Sequence, residues 1–281
     1  MDAKVEHRTD ADLGGAPEGL DALVVAERLK ASGGVALFVA RDFQRSGGFV
    51  QAFQFFSKGI EVLEYPAWDC LPYDRLSPTA GVAAQRMATL TRLAQRTADD
   101  PPILVVTTIS AAMQRTPPKS VTTAAGFETK VGRDLDIQAL ERYFAANGYV
   151  RASTVSERGE FAVRGGVVDV YPPGFEEPVR LDMFGSELES IRTFDPETQR
   201  STGQMTTVSL APVSEALLDK AAISRFRTGY LNLFGTPGDD PLYATISEGA
   251  RRQGMEQWLP LFYDQLDTLF DYLPDAAQLY F

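Results

Sequence analysis

The sequence predicts an α/β fold that begins with a parallel sheet and its flanking helices and continues into a smaller α+β domain. Two observations support this prediction. The first 120 residues alternate apolar, strand-like runs with helical segments, an order that produces a parallel sheet covered by helices. Residues 161–201 read instead as a meander of short strands separated by turns.

The first part of the chain contains three predicted strands and two predicted helices. The strands are apolar runs at 35–40, 60–64 and 103–107. The helices cover 43–57 and 82–95, and in the second one Ala83, Met87 and Leu90 recur at the spacing of one helical face. Two prolines then interrupt the pattern, so we place the first domain at residues 1–118.

The middle part, residues 119–207, combines one helix with the strand meander. Asp136 is a suitable N-cap and Gly148 a suitable stop signal, so a helix is predicted between them. The β-rich runs of the meander lie at 167–171, 178–183 and 187–194.

One face of the second meander strand has an unusual composition. Because side chains alternate along a strand, Val179, Leu181 and Met183 share one face, and Arg180 and Phe184 lie on the other. A Phe beside an Arg on the polar face is poorly explained by a core. The pattern therefore predicts a docking surface, although cross-strand pairing of Arg164 and Arg180 with Asp182 or Glu189 would also account for these arginines.

Residues 208–281 form the last predicted part. The chain crosses back at 208–213, and helices are predicted at 216–233 and 242–251 before two apolar segments at 258–262 and 273–281. Since the chain stops in an apolar, strand-like segment, we expect it to be cut from a longer protein, with this part truncated.

Composition limits the functions that are open to the chain. With 281 residues and 44% hydrophobic content it can bury one large core or two modest ones. A net charge of −11 argues against nucleic acid as the main partner and favours a basic protein surface. A single cysteine, Cys70, and a single histidine, His7, leave no material for a disulfide, a Cys- or His-based zinc site or a histidine dyad. No leader or membrane-length apolar run is visible, so a cytoplasmic protein without membrane contact is expected.

A glycine-spaced turn near the N-terminus resembles a phosphate-binding loop without its chemistry. Gly14 and Gly19 have the spacing of G-x-x-x-x-G-K-[ST], but Leu20 replaces the Lys and Asp21 replaces the Ser/Thr. The turn is either an ordinary lead-in to a helix or a degenerate phosphate loop. Neither alternative supports ATP hydrolysis, and no nucleotide or metal cofactor is predicted.

Two further clusters have simple structural explanations. The adjacent carboxylates at 99–100 and 176–177 lie in loop sequence and are interpreted as solvated rather than as an acid/base pair. Tyr65, Trp68 and Tyr73 offer rings on which bases stack, but with little positive charge nearby we favour aromatic packing under a loop.

Several motifs together resemble a known family. The motifs RGG-x-x-D-x-(Y/F)-P, P-x-R-x-D-x-F-G and E-x-E-S-I-R-x-FDPETQRS occur in one run and resemble the module shared by UvrB and the transcription-repair coupling factors (Mfd). The resemblance continues at 71–78 (LPYDRLSP), 106–115 (VTTISAAMQR) and 256–263 (EQWLPLFY). The first and last of these favour the coupling factors over UvrB.

This resemblance implies a fold and a site. The family layout implies a degenerate P-loop-like domain at residues 1–118, an inserted α+β domain at 119–207, and a return of 208–281 onto the first domain. It places the family's UvrA-contacting residues on Arg164, Arg180 and Phe184. Since none of the three is expected to face the core, substitution by Ala should leave the fold intact.

The resemblance also implies a function for the chain. It predicts a non-catalytic module that recruits UvrA of nucleotide excision repair to stalled RNA polymerase. In the full-length family protein, separate regions bind RNA polymerase and drive ATP-dependent translocation on DNA, and a C-terminal domain masks the UvrA-binding face. The rival prediction is the N-terminal half of a UvrB-like or helicase-like ATP-binding core that acts directly on DNA. The missing Lys and Ser/Thr and the acidic charge weigh against it.

Overall fold

The computed structural model describes Pro17, residues 19–72 and residues 74–281. His7, Gly14 and Tyr73 lie outside this part of the chain. The elements up to residue 118 are α1 (Leu20–Ser32), β1 (Val35–Ala40), α2 (Phe43–Phe56), β2 (Glu61–Tyr65), α3 (Ala80–Ala94), β3 (Ile103–Thr108) and the short α4 (Ile109–Ala112).

The remaining elements divide into a strand-rich and a helix-rich stretch. The strand-rich stretch contains α5 (Lys119–Ala124), β4 (Phe127–Lys130), α6 (Ile137–Asn147), β5 (Val150–Arg151), β6 (Glu160–Arg164), β7 (Val167–Val170), β8 (Val179–Phe184), β9 (Glu187–Phe194), β10 (Ser201–Met205) and β11 (Thr207–Leu210). The helix-rich stretch contains α7 (Lys220–Phe234), α8 (Pro241–Ser247), 3-10 helices at Met255–Leu261 and Leu269–Tyr272, and β12 (Gln278–Tyr280).

The predicted parallel sheet is confirmed. It has four strands in the order β12-β1-β3-β2, and all three pairings are parallel. Strand β1 is buried along its whole length because it lies between two strands and is covered on both faces. Leu29 and Phe53 from α1 and α2 pack on one face of the sheet, and Leu90 of α3 packs on the other.

The last strand joins the end of the described chain to its beginning. Strand β12 pairs with β1, with Leu37 opposite Leu279. Residues of the last 3-10 helix, among them Leu269 and Tyr272, pack in the same core as α3. The end of the described chain therefore packs against its first part through this strand pairing and this core.

A six-stranded sheet, in the order β10-β9-β8-β7-β6-β5, is formed by residues 150–205 from the middle of the chain. All of its pairings are antiparallel except β5 with β6. Helix α6 covers one face, where the rings of Phe144 and Phe161 lie 4.6 Å apart between centroids. The predicted helix limits are confirmed, because the Asp136 side chain accepts a hydrogen bond from the Gln138 N–H and Gly148 ends the helix with a φ of 91°.

The strands by which the chain enters and leaves this middle region, β4 and β11, lie side by side. Strands β4 and β11 form a separate two-stranded antiparallel sheet in which Phe127 lies opposite Leu210. The Tyr143 hydroxyl of α6 donates to the Leu210 carbonyl oxygen at 3.0 Å and fixes the helix against this pair. A region whose two ends are paired in this way can be inserted into another fold with little disturbance.

The helix predicted from residue 216 begins later than the sequence suggests. Residues 216–219 are not helical, and Asp219 is the N-cap of α7. Their backbone is bonded elsewhere: the Leu218 N–H donates to the Ala146 carbonyl oxygen at 2.9 Å. The predicted helix over 242–251 is also shorter, since α8 ends at Ser247.

A buried ion pair connects α3 with the segment that follows β11. Arg86 and Glu215 are 0% and 2% exposed, and Arg86 Nε donates to Glu215 Oε1 at 2.5 Å. The Trp68 indole N–H donates to the same carboxylate at 2.9 Å, and the Arg86 guanidinium lies 4.2 Å from the centre of the Tyr65 ring. Trp68 and Tyr65 are therefore packing residues, as interpreted from the sequence.

In the part of the chain that the structure describes, we find no helix that combines the length and apolar character required to cross a membrane.

Candidate protein-binding site

The face of the six-stranded sheet opposite α6 carries the residues predicted to bind a partner. In β8, Val179 and Leu181 are fully buried in the core with α6, which confirms the predicted inward face. Arg180 and Phe184 lie on the other face of the same strand.

A buried carboxylate organises the two arginines of this face. Asp169 of β7 is 1% exposed and lies directly opposite Arg180 in the neighbouring strand. Arg180 donates to it twice, from Nε to Oδ1 at 2.6 Å and from Nη2 to Oδ2 at 3.0 Å. Arg164 of β6 donates from Nη2 to Oδ2 at 2.8 Å. Both arginines are thus held by one carboxylate whose charge they compensate.

Arg180 is not a free surface residue. Its side chain is only 19% exposed, and its guanidinium lies 4.6 Å from the centre of the buried Phe194 ring. Hydrogen bonding to Asp169 raises the pKa of Arg180 above its usual value. Arg180 therefore has structural contacts that the expectation of a neutral Ala substitution did not take into account.

Arg164 and Phe184 are the accessible members of the predicted set. The Arg164 side chain is 54% exposed, and Phe184 is 78% exposed at the end of β8. Phe184 precedes Gly185, whose φ of 65° allows the tight turn into β9. An exposed apolar ring at the end of a hairpin strand, on the same face of the sheet as a half-exposed guanidinium, is suited to contact with another protein.

The alternative pairing of the arginines with Asp182 or Glu189 is not formed. Asp182 instead accepts from Arg192 Nη2 at 2.8 Å and from the Ser190 hydroxyl at 2.7 Å. The pairs around Asp169 and around Asp182 lie side by side on the same face of the sheet.

Sequence reasoning missed the role of Asp169. A signal was present, since Asp169 is the one charged residue in the run VVDVY. A carboxylate in a strand whose neighbours are buried needs a cationic partner, and the two arginines supply it.

The turn after β9 contacts the site through the backbone of Gln199. The Asp195 carboxylate accepts from the backbone N–H groups of Thr198 at 2.7 Å and Glu197 at 3.1 Å, and these bonds lower its pKa. Gln199 adopts a φ of 61°, and its carbonyl oxygen accepts from Arg180 Nη1 at 3.4 Å. The turn therefore provides another anchor for the Arg180 guanidinium.

The described residues of the glycine-spaced turn form the start of α1. Gly19 is the N-cap with a φ of 91°, and Leu20 is the first residue of the helix. Asp21 lies in the first turn and forms an ion pair with Arg45, whose guanidinium lies 5.4 Å from the centre of the Phe38 ring. An anionic side chain thus stands where the phosphate-loop pattern has a hydroxyl. Gly14 lies outside the described residues.

The adjacent carboxylates differ in environment. Asp99 is exposed, whereas Asp100 is half-buried, accepts from Arg92 Nη1 at 3.1 Å and from the Thr97 N–H at 2.7 Å, and has a lowered pKa. In the second pair, Glu177 accepts from the Thr202 hydroxyl at 2.6 Å. Asp100 was interpreted as a solvated group, but in the structure it also accepts hydrogen bonds from Arg92 and Thr97.

The strand-rich stretch defines a known class of domain. Residues 127–215, which run from β4 past β11, match the family described as the UvrB interaction domain. Arg164, Arg180, Asp169 and Phe184 all lie within the matched residues.

Over nearly its whole length the chain is similar to transcription-repair-coupling factors. It is 34% identical over 267 residues to the protein from Haemophilus influenzae, which covers 94% of this chain and 23% of that protein. It is 32% identical over 255 residues to the one from Escherichia coli, covering 90% of this chain and 22% of that protein. It is 37% identical over 230 residues to the protein from Myxococcus xanthus, covering 78% of this chain and 19% of that protein.

These similarities confirm the predicted resemblance to the N-terminal region of transcription-repair-coupling factors. The chain spans less than a quarter of the length of these relatives.

Proposed function

We propose that this chain is a non-catalytic recruitment module that binds UvrA through the sheet face with Arg164 and Phe184. One observation carries the proposal. A phenylalanine that is 78% exposed stands on the same face as a buried Asp–Arg cluster, within the residues that match the UvrB interaction domain.

Physical chemistry favours a protein partner for this face. Aromatic residues and Arg are enriched among the residues that dominate binding energy in protein interfaces. Burial of the Phe184 ring against a partner removes exposed apolar surface from water, and Arg164 offers guanidinium donors to the partner's carboxylate or carbonyl groups.

The wider context of the proposal follows from the relatives. In a full-length coupling factor, recruitment of UvrA would serve repair at stalled RNA polymerase in the cytoplasm. We assign RNA polymerase binding, ATP-driven DNA translocation and a C-terminal masking domain to regions beyond this chain. Within it, we propose a first domain at 1–118, an inserted domain at 119–207 and a returning part at 208–281.

A binding experiment with a matched control tests the proposal. In calorimetric titration with UvrA, Phe184→Ala should weaken binding by about 1–3 kcal/mol, as for other interface hot spots. Phe43→Ala is the control, because Phe43 is 80% exposed but lies on α2, outside the matched residues. Equal affinity of the wild type and Phe184→Ala, or an equal loss in both variants, would contradict the proposed surface.

We also propose that the chain binds no nucleotide. The Asp21 carboxylate in the first turn of α1 would repel a phosphate, and its partner Arg45 is already engaged. Magnesium-ATP titrated into the chain should therefore give no saturable heat in the micromolar range. A saturable isotherm would support the rival function, an ATP-binding core that acts directly on DNA.

A further inference from the structure

We infer that Asp169 is a positioning residue for UvrA binding. Its carboxylate orients the exposed Arg164 toward the partner, and Arg180, on the neighbouring strand, holds that carboxylate in place. This inference rests on the proposed function, and it changes the roles within the predicted set. Arg164 becomes a contact residue, whereas Arg180 becomes mainly part of the support.

The distribution of hydrogen bonds supports these different roles. Arg180 uses three of its nitrogens within the chain, two on Asp169 and one on the Gln199 carbonyl oxygen. Arg164 uses Nη2 on Asp169. A guanidinium has five N–H donors, so Arg164 keeps most of its donors for a partner.

Burial supports the same division. Asp169 is 1% exposed and Arg180 19% exposed, so neither presents much surface to another protein. Arg164 is 54% exposed, and its guanidinium is tethered at one nitrogen by a carboxylate that is itself fixed twice by Arg180. Fixing a long side chain before binding lowers the entropy that is lost when the complex forms.

The chemistry of the partner group follows from the donors that remain. The untethered edge of a guanidinium binds a carboxylate or a pair of carbonyl oxygens in a planar, forked arrangement. We therefore expect UvrA to present such an acceptor to Arg164, even though the net charge of −11 for the whole chain favours a basic partner surface.

A double-mutant cycle tests the positioning role. Asp169→Asn keeps the size of the side chain but removes its charge, and it should weaken UvrA binding roughly tenfold. If Asp169 acts through Arg164, the same change should have an effect below about twofold in an Arg164→Ala background. In a Phe184→Ala background it should keep its full effect. A general loss of structure would reduce binding equally in both backgrounds and would overturn the inference.

A second variant keeps the test decisive if Asp169→Asn does not fold. Arg164→Lys preserves the charge but cannot bond Asp169 and a partner acceptor in the same forked geometry. It should bind UvrA about as weakly as Arg164→Ala. Binding restored to the wild-type level by Lys would show simple charge attraction and would overturn the inference.

The outcome for the wild type separates this inference from the proposed function. If the wild-type chain does not bind UvrA, the proposed function fails. If it binds, Phe184→Ala weakens binding and Asp169→Asn leaves binding unchanged, the proposed function stands and only the positioning role fails.

Discussion

At the scale of single residues, Arg164 and Arg180 should differ in their contribution to stability. Arg180→Ala removes three hydrogen bonds beside a carboxylate that is 1% exposed, so we expect a loss of about 1–3 kcal/mol in the free energy of unfolding. Arg164→Ala removes one bond from a half-exposed side chain and should cost less than about 1 kcal/mol.

Urea denaturation of the two variants and the wild type measures this difference. Both variants remove an arginine from the same cluster, so each serves as the control for the other. Equal losses would mean that Asp169 is satisfied as well by Arg164 as by Arg180, which would contradict the division of roles between them.

The sequence predicted the faces of β8 but not the way in which the arginines are held. Alternation along a strand is a local property, so the inward Leu181 and outward Phe184 could be predicted from β8 alone. The cluster around Asp169 depends on the register of β6, β7 and β8 together. That register is set by three strands and their turns, and a single strand pattern does not specify it.

At the scale of elements, the end of α6 should tolerate no side chain at Gly148. A Cβ there would lie 2.7 Å from Ser214 Cβ and 3.1 Å from the Ser214 N, at a φ of +91°. Gly148→Ala should therefore suffer both backbone strain of about 1–2 kcal/mol and a steric penalty of about 1–3 kcal/mol.

Gly132 is the matched control for this substitution. It has a similar φ of +82°, but a Cβ there meets nothing within 4 Å. Gly132→Ala should show the backbone cost alone, and thermal or urea unfolding compares the two. Equal destabilisation would mean that Ser214 moves aside without cost.

Local signals explain which helices were predicted well. Helix α6 has Asp136 and Gly148 at its ends, and these caps act on their immediate neighbours, so the sequence defines both limits. Residues 216–219 have an apolar pattern that is compatible with a helix, but the Leu217 N–H donates to the distant Tyr263 hydroxyl, which in turn donates to the carbonyl oxygen of the preceding Glu215. Such tertiary bonds override local preference.

At the scale of the whole molecule, separate parts of the chain are joined by contacts whose residue partners the sequence does not specify. The pairing of β12 with β1 links residues more than 200 positions apart. Arg86 and Glu215 are separated by 129 positions, and each stands in a segment that gave no sign of a buried charge. The alternation of strands and helices predicted the sheet, and the family resemblance predicted a return of the last part of the chain onto the first, but neither specified the pairing of β12 with β1 or the Arg86–Glu215 ion pair.

The Arg86–Glu215 pair should be essential to the folded state. Arg86 also donates to the Pro66 carbonyl oxygen at 2.7 Å and to Gln114 Oε1 at 2.9 Å, so it links the segments that follow β2, α4 and β11 to α3. Arg86→Ala would leave Glu215 buried without its cation and should cost about 3–5 kcal/mol in urea unfolding.

Arg225→Ala is the control, because its ion pair with Asp264 is exposed and should contribute less than about 1 kcal/mol. The double variant Arg86→Met/Glu215→Leu removes both charges, so it should be more stable than Arg86→Ala. If Arg86→Ala is no more costly than Arg225→Ala, the buried pair does not hold these parts of the chain together.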